Sequence, residues 1–185
     1  MYLIVGLGNP EPDYASTRHN MGFDTINKLA QKHSVSVTKQ KFHALYGTGK
    51  IQEEKVIFVK PQTYMNLSGT AVREYMAFYK IKPENLIVVY DDMDIEKGII
   101  KIRKTGGPGS HNGMKSVISQ IQTQSFIHVR IGIGRPEFLE DKINYVIGRL
   151  NQQERQILEK ATNQAALSIE TIIMQGIDRA MNQFN

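Results

Sequence analysis

Leu86-Ile87-Val88-Val89-Tyr90 is an unbroken apolar run, mostly β-branched, that breaks directly into Asp91-Asp92-Met93-Asp94. A run this short, without the alternation of a half-exposed strand, predicts a strand covered on both faces. Helices on each side of a sheet provide that cover, so the chain is expected to be α/β. Residues 2–5, ended by Gly6, read as a second buried strand. Residues 42–51 and 55–59 read as a hairpin joined through Gln52-Glu53-Glu54, and residues 99–103 and 128–134 as further strands. Helical spacing places Phe23, Ile26, Leu29 and Ala30 on one helix over residues 22–33. Leu67, Ala71, Tyr75 and Tyr79, four apart, mark another from Ser68 to about Lys80. A third helix is expected near residues 112–120. The last begins at Asn151, a capping residue with Glu154 three positions on, and carries Ile157, Leu158, Ala161, Ala165, Ile169 and Ile172. No repeat, low-complexity tract or linker interrupts the pattern. Residues 1–185 are expected to form one domain, a three-layer sandwich with a twisted mixed β-sheet flanked by helices.

The sequence contains no cysteine. Thiol nucleophiles, Cys-ligated zinc, iron–sulfur clusters and disulfides are therefore excluded. His19, His33, His43, His111 and His128 show no short metal-ligand spacing. No apolar run approaches the roughly 18 residues of a membrane span. Met1–Pro10 lacks the positive flank and long apolar stretch of a signal peptide. A cytoplasmic protein without membrane contact is the expectation. The formal net charge is +5, unevenly placed. Residues 97–136 contain no acid and seven bases: Lys97, Lys101, Arg103, Lys104, Lys115, Arg130 and Arg135. Residues 137–185 carry seven acids against five bases, and residues 1–96 balance. A focused basic field suits a polyanionic partner such as nucleic acid, although a solvated surface would also account for it.

Four loops follow or join these strands. Gly6-Leu7-Gly8-Asn9-Pro10 begins like a dinucleotide fingerprint, but the third glycine is missing and Pro10 and Pro12 keep a helix from starting there. Thr17-Arg18-His19-Asn20 follows, offering an imidazole as a base with amide neighbours. Lys60-Pro61-Gln62-Thr63-Tyr64-Met65-Asn66-Leu67-Ser68-Gly69 leads into a helix, with Asn66 and Ser68 as capping candidates. Asp91, Asp92 and Asp94 offer a hard cation site, or one of them a charge partner that fixes a histidine tautomer and raises its pKa. Solvated turn acids are the third possibility. Gly106-Gly107-Pro108-Gly109-Ser110-His111-Asn112-Gly113 allows backbone amides to approach an anion, but lacks the Gly-Lys-Ser/Thr ending of a nucleotide P-loop. A G-x-S-x-G nucleophile elbow is absent.

Taken in order, Gly6-Leu7-Gly8-Asn9-Pro10 with Arg18-His19-Asn20, Lys60-Pro61-x-Thr63-x-Met65-Asn66-x-Ser68-Gly69, Asp91-x-x-Asp94, Ser110-His111-Asn112-Gly113 and Arg130-Ile131-Gly132-Ile133-Gly134 closely resemble bacterial-type peptidyl-tRNA hydrolase. The resemblance covers essentially the whole chain. It implies a monomer that cuts the ester between a peptide and the ribose of tRNA, with no metal or cofactor and no obligate protein partner. It implies His19 as general base, Asp91 as the group that orients it, and Asn9, Asn66 and Asn112 as binders of peptide backbone and water, with Asn9 placed in the catalytic set. Tyr14, Asn20, Met65 and His111 would line the peptide channel. Arg103 and Arg130 match positions that grip the 5′-phosphate of the acceptor stem, and Lys101 and Lys104 belong to the same basic stretch. The chain departs from the pattern at Ser110, where glycine is usual, at Pro108, where histidine is frequent, and at Arg103, where lysine is common. Two other readings stay open on residues alone. One is an RNA-binding module that keeps the fold without the reaction; the other is a magnesium-dependent phosphotransferase using Asp91, Asp92 and Asp94.

Overall fold

Alternation within the strands decides how the core divides. Leu3, Val5, Ile57, Val59, Leu86, Val88 and Tyr90 face one side of a sheet, and Ile4, Val56, Phe58, Ile87, Val89, Val129 and Ile131 face the other. A computed structural model describes residues 1–185. Its elements in chain order are β1 Tyr2–Gly6, α1 Met21–Lys32, β2 Lys39–Lys41, β3 Ala44–Ile51, β4 Glu54–Pro61, α2 Ser68–Tyr79, β5 Leu86–Asp92, β6 Ile100–Arg103, α3 Asn112–Ile121, β7 Ile127–Gly132, α4 Lys142–Ile147, α5 Gln152–Gln175 and α6 Ile177–Phe184. The strands form one sheet in the order β2-β3-β4-β1-β5-β7-β6. The four central strands β4, β1, β5 and β7 run parallel, and the outer pairings are antiparallel. Helices α1, α5 and α6 cover one face, α2 and α3 the other. The expected three-layer α/β sandwich with a mixed sheet is what forms.

Several boundaries differ from the sequence reading, each for a local reason. Phe42 and His43 both take positive φ, +49° and +57°, and form the turn of a hairpin that the sequence reading counted as strand. Such a turn matches the twist of the strands it joins. It creates β2, which the polar Lys39-Gln40-Lys41 did not advertise. The β3–β4 turn holds only Gln52 and Glu53, because Glu54 already pairs with Ile51. Gly176, at φ +90°, ends α5 and starts α6, an element absent from the sequence reading. The α6 end brings Asn185 against β6, where its side-chain amide accepts from Ile102 N at 2.7 Å and donates to Ile102 O at 2.9 Å. One amide thereby satisfies backbone groups that an edge strand would leave open. No helix is long and apolar enough to cross a membrane.

Two close approaches position the loops. A Cβ on Gly22 would lie 2.4 Å from the Leu7 backbone, so only glycine lets the start of α1 sit directly on the end of β1. A Cβ on Gly69 would lie 2.2 Å from Ser116 O, and Gly69 N donates to Ser116 Oγ at 2.9 Å. That contact locks α2, which follows the 3-10 turn bearing Asn66, against α3, which begins at Asn112.

Candidate active site

At the carboxyl end of β5 the period of two gives three adjacent side chains different partners. Asp91 turns toward the short 3-10 turn Arg18–Asn20 that precedes α1. Tyr90 and Asp92 turn toward β7, reaching His128 at 3.0 Å and Arg130 at 3.2 Å. Asp94 pairs with Arg135 at 2.6 Å. The three aspartates thus point to separate basic partners rather than converging as a magnesium site.

Asp91 is 2% exposed and lies between two histidines. His19 Nδ1 is 3.0 Å from both of its carboxylate oxygens, and His111 Nε2 is 3.1 Å from Oδ1. The tautomers follow from the remaining contacts. His111 Nδ1 accepts the Met114 amide at 3.2 Å, capping α3, so its proton sits on Nε2 and is donated to Asp91. His19 donates from Nδ1, which leaves its Nε2 with a free lone pair. Burial raises the cost of charging Asp91, but the two imidazoles outweigh it and hold the carboxyl well below the usual carboxylate range. For His19, burial alone would lower the pKa; the Asp91 charge and hydrogen bond override it, and the net shift is upward. His19, Asp91 and His111 could also be drawn as metal ligands, their donor atoms lying within 4.8 Å of one another. Both ring nitrogens facing the carboxylate serve as proton donors, so a cation there would displace both hydrogen bonds.

His19, Tyr90, Asp91, His111 and Asn112 line a cavity of about 170 Å³. Its remaining walls include Pro108, Gly109 and Ser110 of the glycine loop and Lys142, Ile143 and Val146 of α4. The sequence reading missed α4, a short β-branched segment whose N-cap residue, Asp141, makes no side-chain cap bond. A second cavity of about 190 Å³ lies on the other side of Tyr90, lined by Arg103, Thr105, Gly106, Gly107, His128 and Arg130. Here too alternation is the cause. Ile100, Ile102, Val129 and Ile131 face the core, which puts Lys101, Arg103, His128 and Arg130 on the opposite face. Arg130 Nε is buried without a hydrogen-bond partner. His128 accepts from Tyr90 and donates to Gln124 O at 3.1 Å, and burial pulls its pKa down to about 4, so it stays neutral.

The other expected site residues have varied surroundings. Asn9 borders a third, open cavity of about 480 Å³ with His43, Gln62, Tyr64 and Leu67. Asn20, expected along the channel, is buried and holds Asn9 in place: it accepts Asn9 N at 2.7 Å and donates to Asn9 O at 3.0 Å. His111, also expected there, spends both ring nitrogens on Asp91 and the α3 cap while one face borders the cavity. Met65 is buried beneath Gly113, Asn66 is exposed, and Tyr14 is half-buried in its own 3-10 turn. Lys104 leaves the Arg103–Arg130 cleft and pairs with Asp178 of α6 at 2.6 Å. Lys97 pairs with Glu154, so acids from outside the acid-free stretch neutralise part of its charge.

The model of the family "Peptidyl-tRNA hydrolase" matches residues 3–185. The chain belongs to the peptidyl-tRNA hydrolase family. It is 54% identical over all 185 residues to the peptidyl-tRNA hydrolase of Alkaliphilus metalliredigens, covering 100% of both chains. Against that of Clostridium acetobutylicum the identity is 46%, with 100% of this chain and 98% of the other covered. The crystal structure of peptidyl-tRNA hydrolase from Acinetobacter baumannii superposes with a TM-score of 0.95 at 36% identity, over 100% of this chain and 94% of that one. The five sequence blocks that prompted the resemblance are therefore parts of a match that runs through the whole fold.

Proposed function

We propose that this protein hydrolyses the ester of peptidyl-tRNA, releasing peptide and free tRNA, in the cytoplasm and as a monomer. The observation that carries the mechanism is the His19–Asp91 pair, with the unpaired Nε2 of His19 beside a cavity that a substrate can enter. A water bound at Nε2 attacks the ester carbonyl as its proton passes to His19. Asp91 stabilises the imidazolium that forms, and the tetrahedral intermediate expels the ribose oxygen, which takes the proton back. An ester has a tolerable leaving group, so a positioned base supplying about 10²–10⁴-fold needs no covalent intermediate. Asn9, Asn66 and Asn112 serve as amide partners for peptide backbone and developing oxyanion, reading no side chain and so suiting any peptide sequence. Arg103 and Arg130, with Lys101 beside them, form the phosphate-binding cleft, which positions the acceptor stem independently of sequence. Hydrolysis assayed side by side on N-acetylated and free aminoacyl-tRNA tests the function; absence of turnover on the acetylated substrate would end it.

Two further results are expected. The base must be neutral to act, and Asp91 raises its pKa. The acid limb of kcat/KM against pH should therefore lie above the ordinary histidine value of about 6.5, with activity falling as pH drops through it. A limb below that value would contradict the pairing. Arg130→Ala and Arg103→Ala should each weaken tRNA binding at low salt and reduce the slope of log K against log[salt] by about one, as measured by filter binding.

A further inference from the structure

Arg18 adjoins the general base in sequence, yet its side chain turns away from the cavity. Its guanidinium binds Glu154 through both carboxylate oxygens, at 2.7 and 2.9 Å, and donates to Tyr145 O of α4 at 2.8 Å. It also lies 4.0 Å over the Tyr145 ring. Arg18 is only 8% exposed. Glu154 is the residue that a capping box would send back to the start of α5. Only half of that box forms: Asn151 Oδ1 accepts Glu154 N at 2.8 Å, while the Glu154 carboxylate is diverted to Arg18 and Lys97. Burial pushes the Glu154 carboxyl up, but the hydrogen bonds and charges of Lys97 and Arg18 outweigh it and bring it to about 2. It therefore stays ionised across any working pH.

One anion thus ties together four segments around the cavity. These are the turn bearing His19, the connection that follows Asp91 and carries Lys97, the start of α5, and, through Arg18, α4. On α4, Tyr145 faces this network while Lys142, Ile143 and Val146 line the cavity, with Ile143 73% exposed. Tyr145 Oη also donates to Ile133 O just beyond β7. Desolvating an arginine and a carboxylate is a costly way to join loops that apolar packing would hold equally well. With Nη2 held by the Glu154 carboxylate and Nη1 by Tyr145 O, the planar guanidinium does what apolar packing does not: it fixes orientation.

We propose that Arg18 and Glu154 are positioning residues, which set His19 against Asp91 and hold α4 at the wall of the catalytic cavity. Neither touches substrate. The proposal rests on His19 as the base, and it is tested through kinetics on N-acetylated aminoacyl-tRNA. Glu154→Gln keeps the size of the side chain but loses its charge, and Arg18→Lys keeps the charge but loses the second donor that reaches Tyr145 O. Each should lower kcat roughly 10- to 100-fold, the range expected when a reacting group is misplaced by up to about 1 Å. Affinity for deacylated tRNA should not change, since Arg103 and Arg130 lie in a separate cleft.

Asp91 and His111 are in contact with His19, and Asp92 and Lys142 are the other charged groups lining the same cavity. If His19 drifts from Asp91, its pKa falls, so the acid limb should move to lower pH in both variants. Tyr145→Leu removes the ring under the guanidinium but spares the ion pair, and reads the same link from α4 with a smaller loss of kcat. Variants that only melt earlier, with parental kcat and an unmoved acid limb while folded, would reduce the network to a structural brace and overturn the proposal. His19→Ala in the same assay keeps the two ideas apart. Parental turnover there defeats the assignment of the base, whereas a dead His19→Ala beside unaffected Arg18 and Glu154 variants defeats only the positioning role.

Discussion

His19→Ala is expected to lower kcat on N-acetylated aminoacyl-tRNA by about 10²–10⁴-fold while leaving tRNA affinity intact. The size follows from what the side chain does. It is the only group at the cavity with an unprotonated nitrogen that no protein donor occupies, and Asp91 sets both its tautomer and its basicity. Binding should survive because the bases proposed to bind phosphate lie beyond Tyr90, in the Arg103–Arg130 cleft. Single-turnover measurements at high enzyme, paired with filter binding, separate the two effects. An alanine variant that turns over at the parental rate would remove His19 from the mechanism. Parental protein that binds tRNA but never cleaves would favour an RNA-binding module. The magnesium-dependent alternative predicts loss of activity in excess EDTA, and full activity there would exclude it.

Asp91→Asn should cost on the order of 10²-fold in kcat or more, for reasons of proton count. The carboxylate accepts from His19 Nδ1–H and His111 Nε2–H. An amide offers one acceptor oxygen and one donor nitrogen, so one histidine must take the other tautomer or lose its partner. If His19 does so, the proton sits on Nε2 and the lone pair points away from water. Removing the charge also leaves burial as the dominant influence on His19, which lowers its pKa. Whatever activity remains should then show an acid limb displaced to lower pH. Stability carries a second signal. Asp91 is held below its unfolded value of about 3.9, so its contribution is present above that pH and drains away as pH falls below it. Acid unfolding of Asp91→Asn, followed by circular dichroism, should be less steep in that window than that of the parental protein. Equal steepness would mean that Asp91 is not the charged partner of the two histidines.

The apolar strand run at residues 86–90, the helical spacing of the long segments and the Asn151 cap are local properties, and they emerge in the fold close to where the pattern puts them. The Phe42-His43 turn was not legible, because it lacks the Asn-Gly or Asp-Gly pair that marks such a turn. Nor was α4, a six-residue helix rich in β-branched side chains whose place depends on Arg18, far away in the chain. Charge was legible as a sum but not as a surface. The seven bases of residues 97–136 part company once folded: Lys97, Lys104, Arg130 and Arg135 meet acids from other segments, Lys101 and Arg103 share one face of β6 and β7 with Arg130, and Lys115 lies apart on α3.

Among the aspartates, residue type and spacing alone left a cation site and a histidine partner open, with a solvated turn ahead of both. Strand alternation at the end of β5, together with the packing of Gly22 on Leu7, sends Asp91 to His19 and Asp92 to Arg130. By itself the sequence determined the main strands and helices, and which chemical groups are available, because periodicity and composition are carried by neighbours in the chain. The tertiary structure alone decided which of those groups meet. Hydrogen bonds and charge pairs act over about 3 Å, and His19 and Asp91, 72 residues apart, come within that reach only when β1 and β5 lie side by side.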